Sequence, residues 1–292
     1  MEGDENGGVI RIGTAAWSAR GLVHESSWYP RRAMKAADRM AHFAAAFDLV
    51  EIDATARFPP TPDLSRQWIE RTPASFVFDI QAWSLLTGAA TMPESLWPDL
   101  HDEVQPDARD RRRLYASHLT AVGRTEAWQR FRHALEPLHR AGRLGAVTFR
   151  YPHWLRPGTT ARAMLEEAST RLDGFSVAAE LTNRRWFEDG QRESTLSLLE
   201  DLGIALVCVD APAGAQLVAT TSDLAVVRFP GRHPEYPPAY RYDAVELARW
   251  VPILGELAAT SEEVHVVFAN CHLDFAVTNA TQLIELLAVG SH

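Results

Sequence analysis

One figure constrains this chain more than any other and is repeated eight times along it. It is a run of about four to six mostly apolar residues, closed by a polar or charged one. Its clearest copy is Phe47-Asp48-Leu49-Val50-Glu51-Ile52-Asp53, which carries two acids to its end and then breaks at Pro59-Pro60. Short apolar runs without alternation belong to strands buried on both faces, the condition of a parallel sheet covered by helices. The runs fall at residues 9–14, 47–53, 76–83, 144–150, 175–181, 204–210, 224–229 and 264–270. Between most of them apolar residues recur at helical spacing, over 33–46, 64–70, 124–141, 160–171, 194–202, 244–260 and 276–287. Eight strands alternating with helices over about 280 residues predict an α/β chain folded as one (β/α)8 TIM-barrel domain. A doubly wound open sheet would carry a Gly-rich phosphate loop after its first strand, and Gly13-Thr14-Ala15-Ala16-Trp17 lacks that spacing.

The barrel is expected to occupy residues 9–290. The acidic, Gly-rich residues 1–8 are expected to be disordered, and they have the opposite character to a signal peptide. Residues 84–118, broken by Pro93, Pro98 and Pro106 and carrying a mixed charge run, are expected to form an exposed loop or short-helix insertion. A formal net charge of -9 argues against a nucleic-acid footprint. No apolar run approaches the roughly 18 residues of a membrane span, so the expected partner is a small molecule and the expected compartment is the cytoplasm. Cys208 and Cys271 lie inside apolar runs and read as buried free thiols. Lys35 is the only lysine, and its place in an ordinary helical pattern argues against Schiff-base chemistry.

Barrels of this kind work at the C-terminal ends of their strands. The polar residues there are Trp17, Glu51 with Asp53, Asp79 with Gln81, Arg150, Glu180 with Thr182, Asp210, Arg228, and Asn270 with His272. Glu51, Asp79, Glu180 and Asp210 are the candidate catalytic acids. Trp17, Tyr29, Arg150, Arg228, Arg232 and Asn270 are the candidate substrate contacts. Paired carboxylates would serve glycoside hydrolysis, but the positions after strands four and seven hold Arg150 and Arg228 in place of glutamates. Glu51, Glu180, Asp210 and His272 would offer a divalent metal an oxygen-rich site with one imidazole. Arg150, Arg228 and Arg232 would clamp a carboxylate or phosphate. Against all three stands a structural alternative, a mesh in which the same acids and arginines only neutralise one another.

The order of motifs resembles a known family. Ile12-Gly13-Thr14-Ala15-Ala16-Trp17-Ser18, Trp28-Tyr29-Pro30 and Val50-Glu51-Ile52-Asp53-Ala54-Thr55 are similar to those of domain-of-unknown-function family 72, the YecE-like barrels. Glu180, Val209-Asp210, Val227-Arg228-Phe229-Pro230-Gly231-Arg232, Phe268-Ala269-Asn270 and Asn279-Ala280 fall where that family carries related motifs. The resemblance implies a TIM barrel and no particular reaction. It also marks a divergent member. Asp53-Ala54-Thr55-Ala56-Arg57 stands where the family tends to have Asn-Ser-Thr-Phe-Tyr, and Gln81 where it usually has Lys. Arg150 stands for Gln, Thr182-Asn183 for Arg-His, and Ala269-Asn270 for a doubled Asn.

The reading that results is a barrel enzyme, a hydrolase or isomerase, acting on a small polar, anionic or sugar-like compound. Its alternative is a non-catalytic binding or scaffold protein built around an ion-pair mesh.

Overall fold

The computed structural model describes residues 7–210, 217–233 and 235–290. Eight strands close into a parallel barrel in sequence order, β1 Val9–Ala15, β2 Leu49–Ile52, β3 Val77–Gln81, β4 Leu144–Tyr151, β5 Val177–Leu181, β6 Ile204–Val209, β7 Leu224–Phe229 and β8 Glu263–Phe268. The outer layer holds α1 Arg20–His24, α2 Ala36–Ala46, α3 Pro62–Glu70, α4 Ala121–Arg140 and α5 Thr159–Arg171. It continues with α6 Arg192–Asp201, α7 Ala244–Ala248, α8 Trp250–Thr260 and α9 Phe275–Gly290. The single helix expected over 244–260 is two. Pro252 has no N–H and its ring crowds the carbonyl of Ala248, so α7 ends at Ala248 and a new helix starts at Trp250.

The segment 84–118 is a chain of short 3₁₀ turns, tied by two antiparallel bridges, Thr91 to Leu114 and Val104 to Leu119. Of the two expected forms it takes the short-helix one, with residues 109–113 exposed. Leu85, Leu96, Leu100, Val104, Leu114 and Leu119 are buried in the same core as the helices, which explains why its polar punctuation gave no periodic signal. Residues 1–6 lie outside the described residues. Gly8, expected to be disordered, donates its N–H to the Ala258 carbonyl at 2.6 Å.

Inside the barrel the side chains form three levels. The middle is apolar, with Leu49, Val77 and Val267 on one side and Ala146, Ala178, Ala205, Val207 and Val226 on the other. Polar groups lie above and below this waist. At the N-terminal end, His265 donates to Asp79 (2.9 Å) and to Glu263 (2.9 Å), and Arg11 pairs with Glu263 at 3.3 Å. Asp79 is therefore a correction to the sequence reading. It is the register partner of Glu51, but closing a barrel tilts the strands, so register partners stand at different heights. Its carboxylate fills a gap in the sheet. The β3–β4 register slips between Phe78 and Ile80, and the Asp79 carboxylate accepts the N–H of Ala146 there at 2.7 Å. Gly145 makes the room, since a methyl on it would come within 2.8 Å of His265 Cε1 and would collide with the Asp79 carboxylate.

Burial disfavours charge on His265, but Asp79 and Glu263 outweigh it and raise its pKa to about 9, from an ordinary 6.5. Glu263 is lowered to about 2, chiefly by the hydrogen bond with His265. A group with a raised folded-state pKa contributes stability below its unfolded value and loses it as pH climbs through the folded one. The urea midpoint is therefore expected to fall as pH rises from 6.5 through about 9. His265→Gln should start lower and lack that slope, and a wild-type midpoint that is flat across the window would refute the coupling.

Candidate functional site

The C-terminal mouth is organised by one buried guanidinium. Arg228, at the end of β7, is 6% exposed. Its Nη2 donates to Glu51 Oε1 at 2.9 Å, and its Nη1 faces Glu180 Oε2 at 3.5 Å. Glu51 Oε1 also accepts from Gln81 Nε2 at 2.9 Å, and Glu180 Oε1 accepts from Arg150 Nε at 2.7 Å. Glu51 is 1% and Glu180 4% exposed, whereas the Arg150 side chain is 55% exposed and forms the outer edge. Register explains the grouping. Arg150 pairs with Glu180 and Val209 with Arg228, so these side chains share the inner face of adjacent strands.

Burial pushes the Glu51 carboxyl above the ordinary carboxylate range, although Arg228 and Gln81 oppose it. Asp53 is raised for the same reason, with Arg228 and Arg57 opposing. Burial also works against charge on Arg228, but Glu51 and Glu180 reverse the balance and raise its pKa. Cys271 donates its thiol to the Ala15 carbonyl, and burial pushes its pKa up to about 12. Cys271 is free and half-buried, and the raised pKa keeps its thiol protonated near neutral pH.

Asp210 does not join Glu51 and Glu180. It lies on the opposite parity of β6 and forms a two-pronged pair with Arg232, whose Nη1 reaches Glu246 at 3.2 Å. Arg232 is thereby occupied by acids. Asn270 donates to the Tyr240 carbonyl and to Asn279 Oδ1, both at 2.9 Å, so it anchors the connection after β7. Tyr29 is buried, and its hydroxyl donates to the Trp17 carbonyl, so it positions Trp17 and does not roof the mouth itself. Trp17 follows Ala16, a non-glycine residue at φ 87°. Such a conformation costs about 1–3 kcal/mol and is held by the Ala16 N–H on the Glu51 carbonyl at 3.0 Å. Among the described residues no group of three or more His, Cys, Asp and Glu is arranged to hold a metal ion. The set that the sequence would offer a metal, Glu51, Glu180, Asp210 and His272, does not come together among the described residues.

Five buried polar side-chain atoms around the mouth have no hydrogen-bond partner: Trp17 Nε1, Thr148 Oγ1, Glu180 Oε2, Arg228 Nε and Asn270 Oδ1. Thr148 had no place among the sequence candidates. The signal was available, since it stands two residues before Arg150 on the same face of β4.

Removing the central guanidinium strands two buried carboxylates. Arg228→Met is expected to cost about 3–5 kcal/mol of unfolding free energy. Arg150→Ala, at an exposed pair, should cost about 1 kcal/mol or less. Urea titration of both variants checks this, and equal losses would mean that Arg228 does not organise the mouth.

The comparisons with known proteins agree with this architecture. The model of the family described as "Protein of unknown function DUF72" matches residues 11–292. UPF0759 protein YunF of Bacillus subtilis (strain 168) is 26% identical over 300 residues, covering 96% of this chain and 95% of that protein. A crystal structure of a DUF72 family protein from Enterococcus faecalis V583 superposes with a TM-score of 0.77 at 20% identity, covering 96% of each chain. One from Thermotoga maritima MSB8 gives 0.72 at 23% identity, covering 96% of this chain and 99% of the other. Those two likenesses establish the fold, and the family match spans nearly the whole sequence. No helix among the described residues is long and apolar enough to cross a membrane. The chain is a (β/α)8 barrel that belongs to the DUF72 family.

Proposed function

We propose that the barrel mouth is the active site of an enzyme acting on a small, uncharged, polyhydroxylated compound, with Glu51 as the proton-transferring group. The observation that carries this is the setting of Glu51. It is almost fully buried, both described hydrogen bonds to it converge on Oε1, and burial raises its pKa towards the range of a working acid or base. The unpartnered Trp17 Nε1, Thr148 Oγ1, Arg228 Nε and Asn270 Oδ1 add donors and acceptors of the kind that bind hydroxyl groups. Charge argues against an anionic substrate. Arg150, Arg228 and Arg232 already face Glu51, Glu180, Asp210 and Glu246, so carboxylates outnumber guanidinium groups. A phosphate would have to displace an acid from each clamp. A hydroxylated ring would not.

The same ion pairs support a second reading, a scaffold whose mesh only neutralises itself. The two readings diverge at Glu51→Gln. In the active-site reading the variant keeps its melting temperature within a few degrees, because Arg228 retains Glu180. In the mesh reading it loses several kcal/mol, about 3–5. Turnover is checked with mono- and disaccharides in D₂O, followed by proton NMR. The wild type is expected to exchange a C–H proton or release a new reducing end, and Glu51→Gln to do neither. No change with any sugar, together with a destabilised Glu51→Gln, would overturn the proposal in favour of the mesh.

A further inference from the structure

A cavity of about 250 Å³ lies away from the mouth, between α4, α5 and the 84–118 segment. Its walls are aromatic and soft, with the indoles of Trp128 and Trp154, the Tyr115 ring and the Met164 thioether. Arg124 and Glu167 stand in its lining as the charged groups. Trp128 is 5% exposed and stacks on Phe149 at 5.8 Å between centroids, so this wall is rigid.

Trp154 has the opposite exposure. It is 55% exposed, an unusual state for the largest apolar side chain. Its chain position is nonetheless fixed. The next residue, Leu155, is 2% exposed, donates its N–H to the Pro152 carbonyl at 2.9 Å and accepts from the Trp186 indole at 3.0 Å. The indole also has a seat that a larger residue would fill. Gly88 sits at φ 74°, and a methyl there would come 2.8 Å from Met164 Cε and 3.3 Å from Trp154 Cζ2. A glycine at this point lets Met164 and Trp154 close over the opening.

Beneath the cavity, the Tyr151 ring stacks on Phe149 at 6.0 Å. Its hydroxyl is buried with no hydrogen-bond partner and lies near enough to Glu167 to feel its charge. Glu167 is a lining residue, held only at 3.7 Å by Arg171 and about half exposed. Arg124 spends one Nη on the Leu119 carbonyl at 2.8 Å. The cavity therefore combines flat apolar walls with one acid and one guanidinium able to meet polar edges.

We propose that this cavity is a second binding site, and that its ligand is a small molecule with one planar aromatic or heteroaromatic ring system. The ring enters between Trp128 and Trp154, in contact with Met164. Offset stacking and sulfur–aromatic contact favour a flat ring over an aliphatic group of the same size. Arg124 and Glu167 take polar substituents at its edge. The site is separate from the mouth and does not depend on the function proposed there.

Ligand-observed saturation-transfer NMR tests this on the full chain, with indole and adenine as probes and cyclohexanol as the non-aromatic control. Wild-type protein is expected to bind at least one of the two rings saturably and cyclohexanol at least about tenfold more weakly. Trp154→Ala, at an exposed residue, should weaken ring binding by about tenfold while leaving the melting temperature level. Met164→Trp, which fills the cavity, should abolish it. Glu51→Gln should bind the rings as the wild type does. No saturable ring binding would overturn the proposal. So would cyclohexanol binding of equal strength, ring binding untouched by both cavity variants, or ring binding lost in a Glu51→Gln variant that keeps the wild-type melting temperature.

Discussion

The interaction on which the mouth depends is Arg228 held between Glu51 and Glu180. A guanidinium taken out of water is costly unless its partners are charged and well placed, and β7 delivers it directly above an apolar waist. Two acids, from β2 and β5, answer that cost, and each is then fixed by a further donor, Gln81 on Glu51 and Arg150 on Glu180. Thr55 secures one of those donors from outside, since its hydroxyl lies 2.6 Å from the Ile52 carbonyl and 2.7 Å from the Gln81 carbonyl. The result is a pair of carboxylates whose positions are set by the sheet and not by loops, which is the condition for directed chemistry.

The barrel has a second polar level, and the contrast between the two is informative. At the N-terminal end both nitrogens of His265 are engaged, Asp79 takes the Ala146 N–H as well as the imidazole, and Arg11 closes on Glu263. That network is saturated and repairs a break in the β3–β4 ladder. At the C-terminal end Trp17 Nε1, Thr148 Oγ1, Arg228 Nε and Asn270 Oδ1 are buried and unmet. Buried polar atoms are almost always satisfied. The N-terminal network leaves none of its named groups unmet among the described residues, whereas the C-terminal level leaves several.

The eight-strand count and the alternation with helices were legible because both strand faces are apolar, and no later packing could disguise that. The grouping of Glu51, Glu180, Arg150 and Arg228 was legible too, from strand ends alone. Asp79 was misplaced because sequence gives the facing of a strand residue but not its height along a tilted barrel. Asp210 was set with the other acids because the reading ignored its opposite parity after β6, and Arg232 was taken as free because nothing in the strand pattern announces Glu246 of α7 at the mouth. The buried character of 84–118 was invisible for another reason. Short turns pin single leucines into the core without any period to count.

Two of the departures from the family pattern meet on this geometry. Where the family resemblance places a lysine, this chain has Gln81 against Glu51, and where it places a glutamine, this chain has Arg150 against Glu180. One positive charge has left the Glu51 side of Arg228 and one has arrived on the Glu180 side. A lysine beside Glu51 would add a charge favouring the ionised carboxylate, whereas a neutral amide satisfies one lone pair without that attraction. Glu51 thus keeps the raised pKa that burial imposes, while Glu180 is shared by two guanidinium groups. The two acids therefore meet different partners, Glu51 one guanidinium and one amide, Glu180 two guanidinium groups.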